Sequence, residues 1–135
     1  MKRNIVKLLG LPIDTFGKEE ALSFAAEISG QIITINTEMI AYAKKHHDFA
    51  RIIEEADMII PDSIGVEIGL KILRHKVHRI AGIVFAKELV RNFAEKDKSC
   101  HQNQNHEENQ NPADLMTFAL QLMPHFLILY LYCPC

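Results

Sequence analysis

The chain has 135 residues, of which 48% are hydrophobic and 24% charged, a composition that suits one globular domain with a real core. Its 15 Lys and Arg against 17 Asp and Glu give a formal charge of −2, which argues against a nucleic-acid-binding surface. Three cysteines, Cys100, Cys133 and Cys135, do not make a disulfide framework, so we expect a cytoplasmic protein.

The composition changes near residue 97. All 15 Lys and Arg lie at or before Lys98. We therefore predict an α/β domain over 1–96, a low-complexity polar linker over 97–112 and an apolar tail of unassigned role over 113–135. A shifted reading frame would produce such a change, and so would a genuine unusual tail. Within the tail the uninterrupted apolar run "FLILYLY" is too short to span a bilayer.

The first half of the predicted domain alternates strands and helices. Residues 4–9, "NIVKLL", predict a short strand closed by the turn-like "GLPID". Residues 18–29 have apolar side chains at helical spacing, and Gly30 is suited to end that helix. The β-branched residues 31–35, "QIITI", predict a buried strand.

The second half continues this alternation. Asn36 or Thr37 is suited to cap a helix that the pattern predicts over 38–56. A strand over 58–60 and a helix over 63–73 follow. The last predicted elements are a turn and an amphipathic helix, together over 79–96. Strands that alternate with helices predict an α/β fold with a mostly parallel sheet flanked by helices.

Two predicted turns carry polar side chains directly after a buried strand. They are "TINTE" (34–38) and "PDSIG" (61–65), and strand-to-helix turns of such sheets share one edge, where ligands bind. Asp62 has two readings: a cap of the following helix, or a carboxylate that accepts a proton from a substrate hydroxyl. Thr34 and Asn36 either line the same cleft or only end a strand and cap a helix.

The combination of these motifs resembles a known family. Residues 33–73, "ITINTEMIAYAKKHHDFARIIEEADMIIPDSIGVEIGLKIL", with "LGLPID" upstream and "RIAG" downstream, are similar to the bacterial WecG/TagA/CpsF glycosyltransferases. Within that family the chain looks most like the N-acetylmannosaminyltransferases of wall teichoic acid synthesis. The resemblance covers about the first 96 residues.

The resemblance implies a Rossmann-like fold and an inverting transferase that uses neither a metal nor a cofactor. Such enzymes move N-acetylmannosamine from its UDP donor to N-acetylglucosamine on undecaprenyl diphosphate. Asp62 falls on the motif position of the general base, and Thr34 and Asn36 on a polar pair that lines the pocket. Arg79, in "RIAG", falls on a basic position that suits diphosphate or acceptor binding, although a surface arginine at a helix start is the alternative. Ser63 replaces the more usual glycine.

Beyond residue 96 the family pattern of further α/β units and a membrane-associating appendage does not appear in this sequence. We therefore expect a truncated domain with an atypical tail and impaired activity. The alternative is a non-catalytic fragment that binds a partner or associates with itself through an exposed sheet edge. The sequence is compatible with a homo-oligomer, with peripheral membrane contact and with a location at the inner face of the cell membrane. No nucleic-acid or metal partner is expected.

Overall fold

The computed structural model describes residues 2–101, 117–123 and 126–132, with side chains described for residues 2–95. The chain begins with an antiparallel hairpin of β1 (Ile5–Leu8) and β2 (Leu11–Asp14). The expected turn "GLPID" is therefore wrong, because most of it is strand β2. Leu9 and Gly10 alone make the turn, with φ of 52° and 94°, the left-handed values that match the twist of a two-residue hairpin.

A parallel pair of strands forms the centre of the domain. β3 (Gly30–Ile35) pairs with β4 (Met58–Pro61) in a register that places Ile32 opposite Met58 and Ile35 opposite Pro61. Both strands are mainly apolar, and their residues are buried from Ile32 to Ile35 and from Met58 to Pro61, as expected for strands covered on both faces. This architecture confirms the predicted α/β class.

Five helices accompany these strands in the described part of the chain: α1 (Lys18–Ala25), α2 (Thr37–Ala43), α3 (His47–Glu54), α4 (Ile64–Ile72) and α5 (Gly82–His101). Buried side chains of α2, α3, α4 and the hairpin form one apolar cluster with Ile33, Ile35 and Ile59. Buried side chains of α1 and α5 form a second cluster with Ile32 and Ile60. Because side chains alternate along a strand, the two clusters cover opposite faces of the β3–β4 pair.

The helix predicted over 38–56 is interrupted. α2 ends at Ala43, and His46, in an extended conformation with φ −128°, precedes α3. In one continuous helix, the apolar stripes of the two halves would point roughly 120° apart at 100° per residue. The break brings Phe49 and Ile53 into the same cluster as Met39, Ile40 and Ala43.

The predicted apolar tail, 113–135, contributes two strands, β5 (Thr117–Met123) and β6 (Phe126–Tyr132). β6 pairs antiparallel with β3, from Gly30 opposite Leu131 to Ile33 opposite Ile128, and the strand order is β4-β3-β6-β5. Helix α5 covers the first residues of the predicted linker, and residues 102–112 lie outside the described part. Among the described strands, the parallel pairing is that of β3 with β4.

The hairpin is attached to the sheet by a buried ion pair. Asp14 has no exposed surface, and Arg3 donates from Nε and Nη2 to its two carboxylate oxygens, both at 2.8 Å. The backbone N–H of Ile59, in β4, donates to Asp14 Oδ2 at 2.7 Å. The hydrogen bond to Asp14 raises the pKa of Arg3, so the guanidinium stays charged, and the contacts of Asp14 hold the hairpin against β4.

Candidate functional site

The register of the parallel pair brings the two polar turns together. Ile35 lies opposite Pro61, and the backbone N–H of Asp62 donates to the carbonyl of Ile35 at 2.9 Å. Asn36 and Asp62 therefore follow adjacent strands at the carboxyl edge of β3 and β4. Open α/β sheets bind their ligands at such an edge.

Asp62 does not cap the helix that follows it. Ser63 is the N-cap of α4, and its Oγ accepts from the backbone N–H of Val66 at 3.3 Å. The half-buried carboxylate of Asp62 instead accepts at Oδ1 from the backbone N–H of Gly82, at 2.9 Å. Gly82 is the first residue of α5, so the carboxylate lies at the positive end of that helix. The interpretation of Asp62 as the cap of α4 is thus wrong.

Gly82 also lies against Thr34. A Cβ atom on Gly82 would lie 2.8 Å from both Oγ1 and Cγ2 of Thr34, closer than such atoms approach in proteins. Thr34 is only 1% exposed, so it has little room to move. Gly82 is not among the residues that the sequence motifs mark as functional. The available signal was the glycine of "RIAG", a residue type that permits close backbone approach.

Asn36 caps helix α2. Its Oδ1 accepts from the backbone N–H of Met39 at 2.8 Å, and its own backbone is extended, with φ −119°. This hydrogen bond confirms the prediction that Asn36 or Thr37 caps this helix. The cap fixes the side chain of Asn36 at the end of β3, the strand next to the one that Asp62 follows.

The segment that carries Arg79 is attached to the same edge. The backbone N–H of Ile80 donates to the carbonyl of Pro61 at 2.7 Å, two residues before Gly82 binds Asp62. The backbone N–H of Arg79 donates to Glu67 Oε2 at 2.9 Å, and the Arg79 side chain is exposed. Three hydrogen bonds thus hold residues 79–82 against the end of β4, Asp62 and Glu67 of α4.

Glu67 is a second residue that the sequence motifs do not mark as functional. Its Oε1 accepts from Lys71 Nζ at 2.6 Å and lies 3.6 Å from His78 Nδ1. The Lys71 hydrogen bond, followed by the hydrogen bond from the Arg79 backbone, lowers the pKa of Glu67 to about 2. Glu67 is therefore ionised at neutral pH and links α4 to the segment that positions Gly82.

An apolar cavity of about 260 Å³ lies between the hairpin turn, α2 and α4. The first turns of the two helices approach closely there, because a Cβ atom on Gly65 would lie 2.5 Å from Thr37 Cγ2. The cavity is lined by Leu8, Leu9, Thr37, Ile40, Ala41, Lys44, Gly65, Val66 and Gly69. Its walls are mainly apolar, and they begin one to three residues beyond Asn36 and Asp62.

The sequence of the chain matches a known protein family over most of its length. The sequence model described as the glycosyl transferase WecG/TagA/CpsF family matches residues 6–101, which is 96 of the 135 residues. The chain belongs to this glycosyltransferase family. Membership implies, in general terms, a nucleotide-sugar donor and a lipid-linked acceptor. No curated protein matches the chain.

In the described part of this glycosyltransferase, no three His, Cys, Asp or Glu side chains lie close enough together to hold a metal ion. Nor does any helix of that part have both the length and the apolar character needed to cross a membrane.

Proposed function

We propose that the protein is an inverting transferase that moves N-acetylmannosamine from UDP-N-acetylmannosamine to the 4-hydroxyl of N-acetylglucosamine on undecaprenyl diphosphate. The pathway would be teichoic acid or related polysaccharide synthesis. The main support is the position of Asp62, whose carboxylate follows β4 beside Asn36 and is fixed by the Gly82 N–H at 2.9 Å. This is a carboxylate aimed by the backbone at a sheet edge that suits ligand binding.

The proposed step uses Asp62 as the general base. The carboxylate takes the proton of the acceptor 4-hydroxyl while that oxygen attacks the anomeric carbon of the donor sugar. The bond from the anomeric carbon to UDP breaks, UDP leaves with the electron pair, and the configuration inverts. Sugar hydroxyls are weak nucleophiles at neutral pH, so proton removal is worth roughly 10²–10⁴-fold in rate.

The neighbouring residues have distinct roles in this proposal. Asn36 binds the acceptor sugar beside the base, and Thr34 contributes to the site through its contact with Gly82. The exposed guanidinium of Arg79 binds a diphosphate of donor or acceptor, because its planar donors match phosphate oxygens.

We expect weak turnover from the 135 residues by themselves. The resemblance implies further α/β units that complete the UDP site, and their pattern does not appear beyond residue 96. The proposed contribution of residues 1–96 is the base and the acceptor side of the site. A chimera that joins residues 1–96 to the C-terminal half of another family member should therefore transfer sugar faster than the chain alone.

The test measures UDP release from UDP-N-acetylmannosamine with a lipid-diphosphate N-acetylglucosamine acceptor, in the chain and in the chimera. Asp62→Asn should lower turnover by roughly 10²–10⁴-fold with little change in melting temperature, because it preserves size but not basicity. Asp48→Asn, an exposed aspartate in the first turn of α3, is the matched control and should keep full turnover.

Normal turnover in folded Asp62→Asn would show that the base lies elsewhere. Absence of turnover in the chain and in the chimera would favour the alternative, a non-catalytic module.

A further inference from the structure

Helix α4 exposes an apolar stripe. Ile64, Ile68 and Ile72 are 59%, 51% and 76% exposed, and their spacing of four residues places them along one side of the helix. The opposite side of α4 is buried through Val66 and Leu70. The stripe ends at Ile72, in the last turn of α4.

A basic segment runs beside this stripe. Arg74, His75, Lys76, His78 and Arg79 are all exposed, and they follow α4 directly. The chain reverses at Arg74, in a left-handed conformation with φ 64°, and the N–H of His75 donates to the carbonyl of Leu70 at 2.9 Å. This C-terminal turn sends residues 74–79 back along the helix.

The position of the returning segment is fixed by Glu67. The Arg79 N–H reaches Glu67 Oε2, one helical turn before Lys71, so the basic segment lies on the Glu67–Lys71 side of α4. At 100° per residue, Glu67 and Lys71 are next to Ile64 and Ile68 around the helix. Lys71 and the exposed basic residues of the returning segment therefore border the stripe on one side.

We propose that this face of α4, Ile64, Ile68 and Ile72 with the basic segment 74–79, docks onto an anionic bilayer surface. The isoleucines insert between headgroups, and Arg74 and Lys76 pair with lipid phosphates, as the apolar and basic residues of amphipathic surface helices do. The proposal rests on this surface alone and does not require the proposed transferase activity.

The positive charge of this face favours an anionic bilayer over a second copy of the chain as its partner. A two-fold interface would bury the two stripes against each other, and the same face of the second copy would bring further cations to this border and no complementary acidic surface. Like charges across an interface oppose association. The acidic side chain on this border, Glu67, is already hydrogen-bonded to Lys71 and to the Arg79 backbone. An anionic lipid surface complements both features of the face.

Docking in this orientation has a geometric consequence. Ile64 lies two residues after Asp62, at the N-terminal end of α4, and Arg79 is held to the same end. A helix lying flat on the bilayer therefore brings the carboxyl edge of β3 and β4 to the level of the headgroups, where the diphosphate of a lipid resides.

The experiment is flotation of the full chain with vesicles of phosphatidylcholine alone or with 30% phosphatidylglycerol. We expect binding to the anionic vesicles that weakens with salt. Ile68→Glu should reduce it about tenfold, because it places a charge in the centre of the inserted stripe. The double variant Arg74→Gln/Lys76→Gln should weaken binding roughly fivefold for each cation removed.

Ile52→Glu is the matched control, since Ile52 is an exposed isoleucine of a different helix, α3. It should bind as the unaltered chain does, and melting curves should show all variants folded. Equal loss in Ile52→Glu, or equal binding by Ile68→Glu, would overturn the proposal. It would also be overturned if the chain ignored anionic vesicles while light scattering showed a dimer that Ile68→Glu dissociates.

Discussion

At the scale of single residues, Gly82 connects the fold to the proposed chemistry. Its N–H holds Asp62 Oδ1 while its bare Cα lies against buried Thr34. We predict that Gly82→Ala lowers the free energy of unfolding by about 1–3 kcal/mol, because the added methyl overpacks a site with no room. It should also lower transferase turnover, since the displaced N–H no longer aims the carboxylate.

Chemical unfolding and UDP release measure the two effects of Gly82→Ala. The control is Gly17→Ala, where the new Cβ atom would meet Glu20 Oε2 at an ordinary 3.6 Å. Its cost should stay under about 1 kcal/mol, the scale of a changed N-cap. If the two alanine variants were equally stable and equally active, the close approach of Gly82 to Thr34 would have no consequence.

At the scale of elements, α4 and the segment 74–82 form a unit through Glu67. The pKa of Glu67 is lowered from its ordinary 4.5 to about 2 in the folded protein, so the unfolded chain binds this proton more tightly. Glu67 therefore contributes stability that is fully present above about pH 4.5 and is lost as the pH falls through about 2.

The corresponding variant is Glu67→Gln. It should be less stable than the unaltered chain at pH 7, and this difference should shrink between pH 4.5 and pH 2, where the unaltered chain loses its advantage. Urea unfolding across that range measures it, with Glu54→Gln, at an exposed position of α3, as the control. A difference that stays constant with pH would contradict the assigned ion pairing.

The same elements show what the sequence predicted and what it did not. The apolar strands 31–35 and 58–60 were predictable because β-branched runs between helices have few alternatives, and both match β3 and β4 within one residue. The break between α2 and α3 has no glycine or proline to mark it. Its signal is the shift in phase between Ala43 and Phe49, which becomes informative once both side chains must share one cluster.

The candidate site divides in a similar way. Any parallel pairing of β3 with β4 puts Asn36 and Asp62 at the same edge of the sheet. Their proximity therefore follows from the predicted topology. The partner of Asp62 does not follow, because Gly82 lies 20 residues further along the chain and binds it through a backbone N–H. Almost every residue has a backbone N–H, so the residue type does not show which N–H binds a carboxylate. Only the fold shows which backbone donor meets Asp62.

At the scale of the whole molecule, the sheet extends beyond the family match. The match ends at residue 101, and β6, at Phe126–Tyr132, occupies the side of β3 that β4 leaves unpaired. An exposed edge of an apolar strand invites pairing with another chain. The tail strands therefore cover a surface that the family-matching part would otherwise expose.

We predict that a chain ending at residue 101 associates with itself as its concentration rises, while the 135-residue chain does so less. The shorter chain leaves the backbone groups of residues 30–33 without their partners in β6, and a second copy can supply them through strand addition. Size-exclusion chromatography with light scattering measures the mass. Leu129→Pro in the full chain should act in the same direction, because proline removes a backbone donor opposite Ile32. A shorter chain that stays monomeric at every concentration would show that this edge of β3 does not depend on β6 for protection.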